Sequence, residues 1–114
     1  IYFQELKKSK ILISPFGYGE INLKDFEAFF YNCLLFKANM DHLETWPNFY
    51  LRDKTYVDFN WDLDDFKNKL NHIIKNFERY SEIANYTNNL YNSYLHDEKY
   101  LEEFCVRLKN ILNN

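Results

Sequence analysis

The only two glycines of this 114-residue chain, Gly17 and Gly19, stand between an apolar run and an amphipathic segment. The run, Ile11 to Ile13, stops at Ser14-Pro15. The amphipathic segment extends from Asn22 to Asn32, and a second apolar run, Leu34 to Phe36, follows it. Strand, glycine turn, helix, strand is a βαβ unit, and its turn is where such folds hold phosphates and ribose. Glycine suits that turn because it permits φ > 0 and a close approach of ligand to backbone. The stretch from Lys10 to Asn48 therefore sets the expectation for the rest of the chain.

Short apolar runs suit buried parallel strands. Pro15 cannot donate to a ladder, so pairing of the first strand should fade there. Asn22 is placed to cap the next helix. Leu23, Phe26, Glu27 and Phe30 follow at i, i+3, i+4 and i+7, one helical face. Upstream, Tyr2 to Lys8 reads as a short helix with Tyr2, Phe3 and Leu6 on its apolar side. Cys33 to Ala38 is the second strand candidate. Asn39 to Leu51 reads as a loop weighted with Met40, Trp46, Pro47 and Tyr50. Lys54 to Phe59, β-branched and aromatic, is a third strand.

Asp62 reads as a helix N-cap, Asp65 as its capping-box partner, and Trp61 with Phe66 as a hydrophobic staple. Leu63, Phe66, Leu70, Ile73, Ile74 and Phe77 continue that face. The register shifts between Phe77 and Ser81, where a new helix lined by Ile83, Thr87, Leu90, Tyr91 and Tyr94 begins. Asp97 can cap a last helix whose apolar side is Tyr100, Leu101, Phe104, Cys105, Leu108, Ile111 and Leu112.

The order αβαββααα predicts a single α/β domain over residues 1–114. It is a partial Rossmann-like, three-layer unit with a short parallel sheet and a helical C-terminal half. Three strands are few for a self-standing doubly wound fold. Either further strands lie upstream or the core is completed by self-association. The chain opens on Ile1 rather than Met, as expected of a segment of a longer product.

With 46% apolar and 20% aromatic residues, disorder is excluded. No run has the length of a membrane helix. No charged-then-apolar leader opens the given residues, so secretion is not expected. Cys33 and Cys105 are far apart and predict free buried thiols in a reducing, cytoplasmic compartment. The net charge of −3, without a basic stripe, argues against nucleic-acid partners.

Glu27 is the sharpest candidate for chemistry. A carboxylate among Leu23, Phe26 and Phe30 needs a partner. It is either a surface residue paired with Lys24 at i−3, or an acceptor for the hydroxyls of a bound ribose or sugar at the carboxyl ends of the strands. Glu20 is either a solvated loop carboxylate or part of the same rim. Backbone N–H groups at Gly17 and Gly19 and at the helix N-terminus suit a diphosphate. The third glycine of the dinucleotide fingerprint is missing, and no Lys-Ser/Thr follows as in a P-loop. Asp41, His42 and Glu44 match no zinc signature, so no metal is expected, and an ordered loop anchored by Trp46 is the simpler reading. His72 and His96 have no partner pattern. No nucleophile elbow, HExxH or cysteine–histidine arrangement occurs.

Ser9-Lys10-Ile11, Ser14-Pro15-Phe16-Gly17-Tyr18-Gly19-Glu20 and Lys24-Asp25-Phe26-Glu27-Ala28 together resemble the donor-binding half of GT-B glycosyltransferases. The run is most similar to the bacterial group-1-like enzymes of surface-polysaccharide synthesis. Met40-Asp41-His42-Leu43-Glu44-Thr45-Trp46-Pro47 also resembles that family, as does the Asp-rich capping near Trp61-Asp62. The likeness covers residues 2–94. It implies a Rossmann-like C-terminal domain that binds a nucleotide-diphosphate sugar and needs no other cofactor. It also implies that Glu27 contacts the ribose. Glu20 resembles the earlier acid of the family's paired glutamates, at a spacing one residue shorter than the common pattern. The implied donor-binding set is Gly17, Tyr18, Gly19, Glu20 and Glu27. Such enzymes bind the donor between two domains. The chain has no room for the acceptor domain, so catalysis by it alone is not expected. The alternative is a non-catalytic interaction or oligomerisation module of α/β type.

Overall fold

A computed structural model of the chain describes residues 10–14 and 21–113. The helix expected at Tyr2–Lys8 and the glycine turn lie outside the described residues. Three strands, β1 (Ile11–Ser14), β2 (Leu34–Ala38) and β3 (Val57–Phe59), form one parallel sheet in the order β1-β2-β3. Parallel neighbours require a crossover. The first contains α1 (Leu23–Phe30). The second, residues 39–56, has no helix and is braced by hydrogen bonds instead. Thr55 Oγ1 donates to Phe49 O and accepts from Leu51 N, and the buried Tyr56 hydroxyl accepts from Met40 N at 2.9 Å.

All five residues of β2 are buried, so it is the spine of the core. Side chains alternate across a strand. Leu34, Phe36 and Ala38 face one side, with Val57 and Phe59 of β3. That side is covered by Phe66, Leu70 and Ile73 of α2 (Phe66–Lys75) and by the first half of α3 (Phe77–His96), through Tyr80, Ile83 and Ala84. Leu35 faces the other side, under Ala28 and Phe29 of α1, Phe49 and Tyr50 of the crossover, and Leu90, Tyr91 and Tyr94 of the second half of α3. The result is three layers, helix–sheet–helix, as the pattern predicts. α3 also fastens α1. Asn88 Nδ2 donates to the carbonyls of Phe29 and Phe30 in the last turn of α1, at 2.8 and 3.0 Å.

The expected helix start at Asp62 is moved to Phe66. The carboxylates there bond back into a turn rather than capping: Asp62 Oδ1 accepts from Asp64 N, and Asp65 Oδ1 accepts from Asn60 N. Leu63 adopts φ 66°, which no helix tolerates. The register break falls at Asn76, between α2 and α3. α4 (Glu98–Leu112) starts on Asp97 as expected, its carboxylate accepting from Lys99 N at 3.0 Å. Of its apolar side only Tyr100 and Phe104 meet the body, Leu101, Leu108, Ile111 and Leu112 are exposed, and none of its residues is buried. Cys105 on that helix is therefore exposed, against expectation. Cys33 is buried as expected, and burial raises its thiol pKa.

Candidate functional site

Open α/β sheets bind ligands at the carboxyl ends of their strands. Ser14, Lys37 and Asp58 lie in register across the three strands near that edge. A lysine in the central strand must find a partner, because an unpaired buried ammonium costs several kcal/mol. Lys37 finds Asp25 of α1, Nζ to Oδ2 at 2.9 Å, with both side chains fully buried. The Ser14 hydroxyl donates to Asp25 Oδ1 at 2.6 Å, and Tyr50 donates to Oδ2 at 2.7 Å. Lys37 Nζ also donates to Ser14 Oγ at 3.4 Å. Burial first, and then the charge of Asp25, pushes the Tyr50 phenol far above its ordinary value, so it remains a donor. This network ties the end of β1, the first turn of α1, the middle of the sheet and the second crossover to one carboxylate. The Ser14–Asp25 hydrogen bond joins the end of β1 to the first turn of α1 across eleven positions of sequence.

Of the expected donor-binding residues, Gly17, Tyr18, Gly19 and Glu20 lie outside the described residues. Glu27 is half-buried in the second turn of α1. The face read from periodicity, Leu23–Phe26–Glu27–Phe30, is not the one that packs. Leu23 is 72% exposed and Phe30 50%, whereas Asp25, Ala28 and Phe29 are buried. α1 is rolled so that Asp25 reaches Lys37 while Phe29 meets Phe49, ring centroids 5.5 Å apart. The buried acid of the helix is thus Asp25, and Glu27 is left toward the outer side.

The N-terminus of α1 carries a full capping box. Asn22 Oδ1 accepts from Lys24 N at 3.0 Å, and Asp25 Oδ2 accepts from Asn22 N at 3.4 Å. Asp25 N donates to Asn22 O. Two first-turn N–H groups are therefore already satisfied, so a diphosphate at this turn competes with the protein's own cap.

The far end of the rim is polar and ordered. Asn39 Nδ2 donates to Asp58 Oδ2 at 3.0 Å, and Lys69 Nζ lies 3.1 Å from Asp58 Oδ1. Burial alone would raise the Asp58 carboxyl, but the hydrogen bonds from Asn39 and Lys69, with the Lys69 charge, outweigh it and hold the group below its ordinary value. Trp61 Nε1 donates to Asn39 O, and the His42 ring stands edge-on to Trp61 at 5.4 Å. Asp41 lies 3.7 Å from Arg52. Among the described residues no group of three or more His, Cys, Asp or Glu converges on a metal position. Trp46 does anchor its loop, but onto α4, where Phe104 stacks on it and the Arg107 guanidinium lies 4.7 Å from its ring.

The Ser14–Asp25–Lys37–Tyr50 network went unread in the sequence, although one signal was present. Lys37 interrupts the apolar run Leu34–Ala38, and a buried strand with a charge demands a counter-charge nearby. No helix among the described residues is long and apolar enough to cross a membrane. Comparison with protein-family models, with curated proteins and with solved structures finds no match to this chain.

Proposed function

We propose that this chain is the nucleotide-sugar donor-binding portion of a glycosyltransferase, the C-terminal part of a larger GT-B enzyme, and not active alone. The observation that supports it most is the locked βαβ crossover. Ser14, Asp25 and Lys37 join the end of β1 to the first turn of α1 at the carboxyl edge of a parallel sheet, and Glu27 follows in the next turn of that helix. Glu27 accepts the ribose hydroxyls in this reading. The backbone of Gly17, Tyr18 and Gly19 holds the diphosphate, and Glu20 meets the sugar side of the donor. Since Asn22 already accepts from the Lys24 and Asp25 amides of the first turn of α1, the glycine segment bears most of the diphosphate contact in this reading. A cytoplasmic setting, free or against the inner face of a membrane, goes with such a donor.

Titration with UDP and related nucleoside diphosphates, read by amide NMR shifts and calorimetry, tests the reading. Shifts confined to residues 17–27 are expected at millimolar nucleotide, and Glu27→Gln should weaken binding about tenfold, the loss of one charged hydrogen bond. Absence of shifts there at millimolar nucleotide overturns it. The bare apolar side of α4 favours a second reading, a non-catalytic interaction module. A stable oligomer with no nucleotide affinity would select it.

A further inference from the structure

α4 leaves an apolar stripe uncovered that its own body cannot reach. One edge of the helix is turned inward: Tyr100 lies on Tyr94 with ring centroids 3.8 Å apart, and Phe104 and Arg107 lie on Trp46. The adjacent stripe, Leu101, Cys105, Leu108 and Leu112, follows at i, i+4, i+7 and i+11 and faces outward. Leu101 is 63% and Leu112 75% exposed.

The charges along one side of the stripe are sorted by sign: Glu98 and Glu102 lie in the first half of the helix and Lys109 in the second, while Lys99 falls on the opposite side and Glu103 pairs with Arg107 at 3.5 Å. Parallel pairing of two such helices sets like charges side by side. Antiparallel pairing sets Glu102 of one copy beside Lys109 of the other, twice by symmetry, and opposes the helix dipoles. The stripe is itself symmetric under that reversal: Leu101 meets Leu112 of the second copy, and Cys105 meets Leu108. A basic amphipathic face would point to an anionic membrane instead, but here three carboxylates balance Lys99, Arg107 and Lys109.

A cavity of about 490 Å³ opens beside the start of α4, lined by Phe26, Trp46, Tyr94 and Phe104 and by the exposed Leu95 and Leu101. In the antiparallel arrangement the C-terminal end of the second helix, with Ile111 and Leu112, comes to lie over it. Those two side chains are 70% and 75% exposed in the single chain.

We infer that α4 is a dimerisation helix, pairing antiparallel with α4 of a second copy of this chain, with Ile111 and Leu112 of each copy covering the aromatic cavity of the other. This interface is independent of nucleotide binding and stands whether or not the donor site does.

Sedimentation equilibrium over a range of concentrations, with a charge-exchange series, tests it. The wild-type chain should show a monomer–dimer equilibrium with Kd on the order of micromolar. Leu101→Asp, which alters an exposed residue, should leave the fold intact by circular dichroism and give a monomer. Glu102→Lys and Lys109→Glu should each weaken the dimer about tenfold, and the double exchange should restore it. A short bismaleimide should join the two copies through Cys105, whose sites lie about 4.5 Å apart along the helix axis in this pairing. A monomer at every concentration overturns the inference. So does a dimer indifferent to Leu101→Asp and to the charge exchange, or a monomer that partitions through α4 onto anionic vesicles.

Discussion

Lys37 and Asp25 form the interaction on which the largest residue-scale consequence depends. Removing one partner strands the other in the core, so Lys37→Met and Asp25→Asn should each cost about 3–5 kcal/mol. The double variant should cost clearly less than the sum, because both charges leave together. Urea unfolding of the four proteins checks this, and simple additivity would refute the pairing. Asp58 and Lys69 give a pH dependence of known sign. The Asp58 carboxyl is held below its ordinary 3.8, so its stabilisation is full above that value and lost as pH falls through the folded-state value. Lys69, held above 10.5 by Asp58 and Asp65 despite its own burial, loses its contribution only as pH rises past that point. Asp58→Asn should therefore lose less stability than wild type between about pH 5 and about pH 3. The difference is about 1 kcal/mol or less, because Lys69 is 38% exposed and screened by solvent. At this scale the sequence was least informative. Periodicity pointed to Glu27 as the acid among apolar neighbours, whereas the helix rolls to bury Asp25. One helix pattern permits either roll, and the choice is made by Lys37, a residue on another element.

The elements themselves were largely legible. Ile11–Ser14 and Leu34–Ala38 are strands because short apolar runs end at proline or at a polar loop. The Asn22 and Asp97 caps were readable because capping is chemistry local to one turn. The start of α2 was not, since Asp62 and Asp65 serve an Asx-type turn with the same residues that a cap uses. Asn22→Ala should cost about 1 kcal/mol through the lost cap. Native-state hydrogen exchange should show α4 opening before α3, since α4 buries no residue and α3 buries Ala84 and Thr87 in the body. Equal protection of the two helices in the monomer would contradict that ranking.

The molecule as a whole is a three-layer α/β unit whose carboxyl edge carries the buried Asp25–Lys37 pair and the partly exposed Asp58–Lys69 pair while its last helix presents an apolar side to its surroundings. The layers follow from strands that are mainly apolar, with their few polar residues buried and paired, and so need cover on both faces. The bare side of α4 could not be foreseen, because an amphipathic pattern says that a face will be covered without saying by what. The central claim is that the clamped crossover binds the nucleotide diphosphate of a sugar donor. Its most direct test is a UDP titration of the chain and of Glu27→Gln, followed by backbone amide NMR. Saturable shifts in residues 17–27, about tenfold weaker in the variant and unchanged in α4, are the predicted result. No shift in that segment at millimolar UDP, or equal affinity of the two proteins, would contradict the claim.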